Sequence, residues 1–224
     1  MTAASTDPPT IGPPTIGPPT IGPPTIGPPT KGNRTRRRLL DAAAAEVARH
    51  GRAGASLSAI AVAAGLKPGS IYFHFGSREQ LIDAMLEEGV RESLARLDQA
   101  TAEVTHPAQA GDARARLRAA IRAHLDALHD LRDYAAVVLA PALALDGPPG
   151  SEFRALRGAY LRQWSGLVEG AQRAGVLAGQ APARTVRDLL LGALNSAGLA
   201  GRPPAETAAA AELLFMLTPP PGDL

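Results

Sequence analysis

The stretch SLSAIAVAAGLKPGSIYFHFGSR, from Ser56 to Arg78, decides the fold of this 224-residue chain. It divides into a short run with apolar side chains at helical spacing, a turn at Gly65-Leu66, and a second short run. Glycine suits that turn because it adopts a left-handed backbone conformation without steric cost. Two short helices joined by a tight, glycine-containing turn form a helix-turn-helix, and this is the structure that the stretch predicts.

The second run predicts a helix with one buried and one outward face. We expect Leu66, Ile71 and Phe75 to point inward. In a helix-turn-helix, the N-terminal part of the second helix enters the major groove of DNA. The residues that we expect to face outward and contact DNA are Lys67, Pro68, Gly69, Ser70, Tyr72, Phe73 and His74.

The aromatic side chains of this run have different predicted roles. Tyr72 and His74 are expected to donate to phosphates, contacts that position the protein without reading sequence. Phe73 is expected to touch a thymine methyl group. The alternative for the aromatic cluster is core packing, and we assign only Phe75 to the core.

Positive charge is concentrated around the same motif. Residues 31–76 carry eight lysines and arginines against Asp41 and Glu46, a net +6, whereas the whole chain carries +2. Four arginines precede or open the first helix, where cations oppose the helix dipole. A solvated helix start is the alternative, but phosphate binding explains this arrangement better. Of these arginines, we expect Arg34 and Arg37 to contact DNA.

The first helix has a predicted buried stripe and a predicted end. Apolar residues recur at i, i+3, i+4, i+7 and i+8, which is typical of one helix face packed on a core. His50-Gly51 is expected to end the helix. The stripe consists of Leu40, Ala43, Ala44, Val47 and Ala48.

Residues Thr35 to about Val90 resemble the DNA-binding domain of the tetracycline-repressor (TetR) family of bacterial transcription regulators. The resemblance implies that Ser56 and Ser58 lie at the DNA surface. It also implies that Arg78, which stands where the family has a lysine, grips the DNA backbone. It rests on Ser56-Leu57-x-x-Ile60-Ala61-x-x-Ala64-Gly65-Leu66, Gly69-Ser70-Ile71-Tyr72-x-His74-Phe75 and Ser77-Arg78-Glu79-x-Leu81.

Two residues of the motif also predict helix starts. Ser56 suits the N-cap of the helix that follows it, a role compatible with a DNA contact. Ser77-x-x-Gln80 is a capping-box sequence, and it predicts the start of a long fourth helix, from about Arg78 to Glu103.

Composition favours an all-α fold. Hydrophobic residues make up 45% of the chain, mostly alanine and leucine, and aromatics only 4%. Strands prefer β-branched and aromatic residues, so packed helices are expected. We predict a helix-turn-helix domain of three helices at 33–80, followed at 81–218 by an antiparallel helical domain for ligand binding and dimerisation. Residues 219–224 form a tail.

The first 32 residues are predicted to be a disordered tail. Pro-Pro-Thr recurs every five residues from residue 8, joined by Ile-Gly, and proline pairs exclude helix and central strand. A repeat without a selected role is the favoured interpretation. The alternatives are a ligand for a proline-recognising domain and an arm that follows DNA. The near absence of charge before Lys31 argues against the arm.

Several classes of protein are excluded or disfavoured. The chain has no cysteine, no apolar run of membrane-spanning length and no signal-peptide pattern, so we expect a cytoplasmic protein. It has no nucleotide-binding loop or nucleophile elbow, and we expect no enzyme, no cofactor and no metal. His124 and His129 are five residues apart, which separates them around a helix, and we expect them to be solvated or at a pocket rim.

The helix predicted at 183–200 is apolar on most sides and must be buried. In the resembling family, the last two helices form a four-helix dimer bundle with a partner subunit. Burial within one subunit is the alternative. The residues that we expect at a homodimer interface are Leu190, Ala193, Leu194, Ala197, Leu213 and Leu214.

The resemblance implies a ligand-responsive repressor of a double-stranded DNA operator. A small apolar ligand would enter the C-terminal domain and shift the spacing of the two recognition helices. Residues around Gly158–Val176 and Leu191–Asn195 are similar to family members that answer to acyl-CoA thioesters, although Ser196 stands where those often carry tryptophan. The alternative is a DNA-binding regulator or architectural protein without ligand control. The predicted ligand-binding residues are Tyr134, Leu139, Phe153, Tyr160, Trp164 and Asn195.

Overall fold

The computed structural model describes residues 31–104, 110–139, 150–177 and 181–215, and these are helical with no strand among them. The predicted all-α class is therefore confirmed. The helices in chain order are α1 (Lys31–Gly54), α2 (Leu57–Ala63), a 3-10 helix (Pro68–Phe73), α3 (Arg78–Ala102), α4 (Ala110–Asp130), α5 (Arg132–Leu139), α6 (Ser151–Arg173), α7 (Ala183–Leu199) and α8 (Pro204–Phe215).

Some predictions fall outside the described residues. They are the repeat tail at 1–30 and the tail at 219–224. At the edge of the tail, α1 begins at Lys31, two residues before the predicted domain boundary at 33.

The helix-turn-helix forms at the predicted place. Ser56 is the N-cap of α2, and its hydroxyl accepts a hydrogen bond from the Ala59 N–H at 3.1 Å. Gly65 has φ +70°, the left-handed region that favours glycine. The Leu66 N–H donates to the Ala61 carbonyl at 2.8 Å, which closes the turn. The second helix of the motif is a 3-10 helix of six residues.

The first helix buries a slightly different stripe from the one predicted. Leu39 is fully buried, whereas Ala48 is exposed. The reason is that α1 packs against α3 and α5 as well as α2, so more than one side of the helix is buried around its middle. Non-helical backbone at Gly51 interrupts the helix where an end was predicted, and one further turn follows to Gly54.

A first apolar core joins the helix-turn-helix to the helices behind it. Ile71 and Phe75 lie in it as predicted, together with residues of α1, α2, the N-terminal half of α3, α5 and the start of α6. The core therefore crosses the predicted domain boundary at residue 80. The contributions from α5 and α6 are Leu131, Tyr134, Val137 and Phe153, where Leu131 immediately precedes α5.

A second apolar core lies among α4, α6, α7 and α8, and the far end of α3 reaches it at Leu97. The α4 stripe predicted from Leu117, Ile121, Leu125 and Leu128 is buried here. Tyr160 packs against both cores, which makes it a residue of their junction.

The starts of α3 and α6 are capped differently. The Ser77 hydroxyl accepts from the Gln80 N–H at 3.2 Å, as in the predicted capping box. The Gln80 side chain accepts in turn from the N–H of Gly76 at 2.9 Å, one residue before the N-cap. Gly150 is the N-cap of α6 and makes no side-chain capping bond, and Ser151 is the first helical residue.

One face of α7 is buried and the other is not. Leu190, Leu191 and Leu194 pack in the second core. Leu189 and Leu199 remain 65% and 51% exposed, so the prediction of burial all round does not hold within one subunit. The buried side approaches α4 so closely that a Cβ added at Gly198 would lie 2.5 Å from the Leu128 side chain.

Candidate functional site

The helix-turn-helix presents a continuous set of exposed side chains. Tyr72 is 62% exposed and Phe73 is 89% exposed, although both are large aromatic residues. Ser70 and His74 are half-buried at the edges of this surface. Also exposed, with the two aromatic residues, are Ser56, Ser58, Lys67, Pro68 and Gly69.

Several arginines of the basic block support the fold instead of facing solvent freely. The Arg36 guanidinium lies 4.6 Å from the centre of the Phe75 ring, a cation–π contact. Arg38 donates from Nε, at 3.0 Å, and from Nη2 to the Ala64 carbonyl at the end of α2. Arg34 and Lys67 are exposed. Arg36 and Arg38 also remain exposed, although they make these contacts within the protein.

Arg37 is half-buried and engaged within the protein. Its Nε donates to Asp41 at 3.0 Å and its Nη1 to Glu88 of α3 at 3.0 Å. Burial works to lower the pKa of this guanidinium, but Asp41 and Glu88 outweigh it and the pKa is raised. Arg37 therefore makes an ion pair between α1 and α3, and its phosphate contact stays a prediction.

Arg78 is likewise half-buried and engaged within the protein. Its Nε donates to the Ala55 carbonyl at 2.9 Å, which ties the start of α3 to the segment between α1 and α2. This bond gives the side chain a role in holding the motif together. The grip on the DNA backbone that the family resemblance implies stays a prediction.

A cavity of about 300 Å³ lies where the two cores meet. Helices α3 to α7 contribute to its wall. Cavities that bind small ligands begin at about this size. Its apolar lining includes Val90, Ala127, Leu128, Leu131, Ala135, Val138, Leu139, Leu161 and Leu191.

Four of the six predicted ligand-binding residues line this cavity, namely Tyr134, Leu139, Tyr160 and Asn195. Phe153 and Trp164 do not line it. Phe153 is buried in the first core, and Trp164 is fully buried in the second. Both were chosen for their aromatic side chains, which fill space in a core as readily as in a pocket wall.

The polar part of the wall is a hydrogen-bonded triad from three helices. His124 Nδ1 is 2.7 Å from the Tyr160 hydroxyl, and His124 Nε2 is 3.0 Å from Asn195 Oδ1. Trp164 packs edge-on against the imidazole, with 5.8 Å between ring centres. Burial lowers the pKa of His124 to about 4, despite the hydrogen bond to Asn195, so the ring is neutral near pH 7.

Sequence reasoning missed His124, although a signal was present. His129 is exposed as expected, but His124 is buried. His124 continues the apolar spacing of Leu117 and Ile121 at i+7 and i+3, so it occupies a core-facing position of α4. The regular stripe, more than the pair of histidines, was the informative pattern.

Tyr134 connects the cavity to the helix-turn-helix. Its ring lines the cavity, and its hydroxyl donates to Asp41 Oδ1 of α1 at 2.7 Å. Burial, and then the bond to Asp41, raises the pKa of Tyr134, so the hydroxyl keeps its proton. The ring lies tight against α3, where a Cβ added at Gly89 would be 3.0 Å from it. Tyr134 therefore joins the cavity wall to α1 through a direct hydrogen bond.

Comparison with known families gives two matches along the chain. The description "Bacterial regulatory proteins, tetR family" matches residues 39–85, and "Tetracyclin repressor-like, C-terminal domain" matches residues 110–198. The chain belongs to the TetR family. It is accordingly a DNA-binding transcriptional regulator, and the predicted family is confirmed. No curated protein sequence matches the chain.

Solved structures of other regulators share the fold of this TetR-family chain. A fatty acid degradation regulator FadR from Bacillus halodurans has 19% identity and a TM-score of 0.66, covering 84% of this chain and 98% of its own. FadR from Bacillus subtilis in complex with stearoyl-CoA has 20% identity and a TM-score of 0.63, covering 80% and 97%. AibR in complex with isovaleryl coenzyme A and operator DNA has 21% identity and a TM-score of 0.65, covering 81% and 98%.

The residues predicted for a dimer interface of this TetR-family chain divide into three groups. Leu190 and Leu194 are buried in their own subunit, which leaves them no surface for a partner. Ala193 is exposed and Ala197 half-buried. The side chains of Leu213 and Leu214 lie outside the described part. The exposed Leu189 and Leu199, which sequence reasoning did not select, are on the outward face of α7.

Among the described residues, no group of three or more His, Cys, Asp or Glu side chains is arranged to hold a metal ion. No helix in the same residues is both long enough and apolar enough to cross a membrane.

The buried histidine predicts a pH dependence of stability. His124 becomes protonated below about pH 6.5 in the unfolded chain, but only near pH 4 in the folded chain. The folded state therefore loses stability as the pH falls from about 6.5 to about 4. We expect His124 to reduce the free energy of unfolding by about 2 kcal/mol between pH 7.5 and 5. Urea unfolding at fixed protein concentration measures this.

Matched variants separate this effect from the titration of carboxylates. His124→Gln should show a pH dependence weaker than that of wild type by about the same 2 kcal/mol. His129→Gln, at an exposed position of the same helix, should behave as wild type. Equal pH dependence in all three proteins would contradict a neutral, buried His124.

Proposed function

We propose that this regulator is a repressor that binds operator DNA as a homodimer and is released when a small apolar ligand enters the cavity. The observation that carries the proposal is the Tyr134 side chain, which belongs to the cavity wall and is hydrogen-bonded to α1. A ligand acts on a distant site only if it favours one of two states. Tyr134 supplies a physical route for that preference.

The cavity distinguishes this proposal from its alternative. A DNA-binding or architectural protein without ligand control has no need for about 300 Å³ of space between two cores, since interiors are normally close-packed. The FadR and AibR structures with coenzyme A thioesters suggest the ligand class to test first. We propose an acyl-CoA thioester as the candidate ligand of this chain.

The proposed DNA contacts follow the exposed surface. Phe73 is the residue most suited to a base contact, because an apolar ring that is 89% exposed gains from leaving water. Arg34 and Lys67 are proposed to bind phosphates. The other proposed contacts are Ser56, Ser58, Pro68, Gly69, Ser70, Tyr72 and His74.

The proposed dimer interface is the outward face of α7 together with α8. A second copy of the chain would cover Leu189 and Leu199, and small residues on this face allow close approach. A groove of about 210 Å³ between the two helices adds to this surface and is lined in part by Ala193, Ala197 and Ala210. Pairing through it would set the distance between the two helix-turn-helix motifs.

The proposal assigns DNA binding to residues 33–80 and ligand binding and dimerisation to 81–218, with a cytoplasmic location. It includes no catalysis, because a repressor acts by binding alone.

Removing either exposed cation should weaken operator binding without changing sequence preference. For Lys67→Ala and Arg34→Ala we expect the slope of log affinity against log salt to fall by roughly two per dimer, one for each lost phosphate contact. Fluorescence anisotropy on an operator selected from a randomised duplex library measures this. Arg49→Ala is the control, because Arg49 pairs with Glu46. An unchanged salt slope would refute the phosphate assignment.

A charge on the outward face of α7 should dissociate the dimer. Leu189→Glu would bury a carboxylate without a partner in the proposed interface, and we expect a monomer at micromolar concentration by light scattering. Ala155→Glu, an exposed position of α6, is the control and should remain dimeric. A dimeric Leu189→Glu protein would reject this interface.

Tyr134→Phe should separate ligand binding from operator release. The ring remains in the wall, so affinity for the best of a series of acyl-CoA thioesters, from butyryl to stearoyl, should change less than about threefold. The lost bond to Asp41 should reduce ligand-induced release from a typical ~5- to 150-fold change in operator affinity to less than about threefold. Calorimetry and anisotropy measure the two quantities.

Tyr160→Phe is the matched control for Tyr134→Phe. It removes a hydroxyl from the same cavity. The Tyr160 hydroxyl, however, is hydrogen-bonded to His124 of α4 and not to a residue of α1. We expect weaker ligand binding with full release at saturation. If Tyr134→Phe released the operator as fully as Tyr160→Phe does, the route through Asp41 would be wrong.

A further inference from the structure

The triad of His124, Tyr160 and Asn195 is a hydrogen-bonded polar site in a cavity wall that is mostly apolar elsewhere. Its members come from α4, α6 and α7, and the two hydrogen bonds of 2.7 and 3.0 Å hold them in one row. Tyr160 and Asn195 at its two ends both line the cavity. Buried polar groups that are fixed in this way orient a ligand as well as stabilising the fold.

The protonation of His124 determines which hydrogen-bonding groups of the triad remain for a ligand. A neutral imidazole has one N–H donor and one acceptor nitrogen. With Asn195 Oδ1 as the acceptor, the proton lies on Nε2, so Nδ1 accepts from the Tyr160 hydroxyl. The Asn195 oxygen therefore accepts a hydrogen bond within the triad. The Asn195 Nδ2 N–H groups are the donors that remain for a ligand.

The charges around the cavity do not favour a buried anion. Burial keeps His124 neutral, and burial also raises the pKa of Tyr160, so neither ring is charged near pH 7. Arg157 and Asp188 are the charged residues among the described lining, and both are exposed. Asp188 is paired with Arg187 at 2.7 Å. A carboxylate at the triad would lose its hydration without gaining a cation.

We infer that the cavity takes an uncharged acyl compound, such as a thioester, ester or amide, whose carbonyl oxygen accepts a hydrogen bond from Asn195 Nδ2, and that it rejects the corresponding carboxylate. This inference rests on the proposed ligand control and adds the chemistry of the recognised group. The apolar lining takes the acyl chain, and the triad recognises the carbonyl.

The test compares two probes with the same chain on the full-length protein. Octanoyl-N-acetylcysteamine carries the uncharged thioester without a nucleotide, and octanoate carries the anion. By calorimetry at pH 7.5 we expect the thioester to bind at least about tenfold more tightly. Lowering the pH to 6 should leave thioester affinity unchanged and raise octanoate affinity about tenfold per pH unit, since only the neutral acid fits.

Variants identify the recognising residue. Asn195→Leu should lower thioester affinity roughly tenfold, the effect of losing a buried hydrogen bond. His129→Gln, which is exposed on α4, should bind as wild type does. If Asn195→Leu fails to fold, the two probes and their pH dependence on wild type decide the question alone.

Three results would overturn the inference: octanoate binding as tightly as the thioester at pH 7.5, octanoate affinity that depends on Arg157 when tested with Arg157→Gln, or no binding of either probe. Operator binding and its release by acyl-CoA thioesters, measured on the same protein, test the proposed function separately. If acyl-CoA thioesters release the operator but the protein binds octanoate as tightly as the uncharged thioester, the proposed function stands. The assignment of carbonyl recognition to the triad then fails.

Discussion

Burial of one face of α5 in the core of the helix-turn-helix is the constraint on which the regulator depends. Tyr134 and Val137 of α5, with Leu131 just before it, pack among residues of α1 to α3. Each such apolar side chain contributes about 1.5–3 kcal/mol when it leaves water. Because packed interiors do not deform continuously, α5 cannot move without moving α1 or leaving the core. The hydroxyl of Tyr134 adds a directional bond to the same contact.

The basic block of the N-terminal region performs two tasks. Arg36, Arg37, Arg38 and Arg78 make contacts within the protein that fix α1, the turn and α3 relative to one another. Arginine suits this work because its planar group donates in several directions. The rigid unit then presents its 3-10 helix, with two large aromatic residues in water.

Local patterns in the sequence predicted the fold well because they depend on neighbours in the chain. The turn at Gly65, the N-cap at Ser56 and the alternation of inward and outward residues around Ile71 are properties of short segments. The partners of Arg37 and Arg78 could not be predicted, because Glu88 and the Ala55 carbonyl come near only after the helices pack. Leu190 and Leu189 are adjacent in a helix that is apolar on most sides, so only the packed structure separates core from surface. The cavity lies between two cores, a position that no single segment specifies.

The cavity wall has two parts with different duties. Its polar triad belongs to α4, α6 and α7, whereas the side chain that reaches the N-terminal region belongs to α5. In the proposed function, recognition and output are thus assigned to separate residues of one cavity wall. Laboratory evolution restricted to the first group offers a way to build biosensors for new molecules while the reporting linkage stays unaltered.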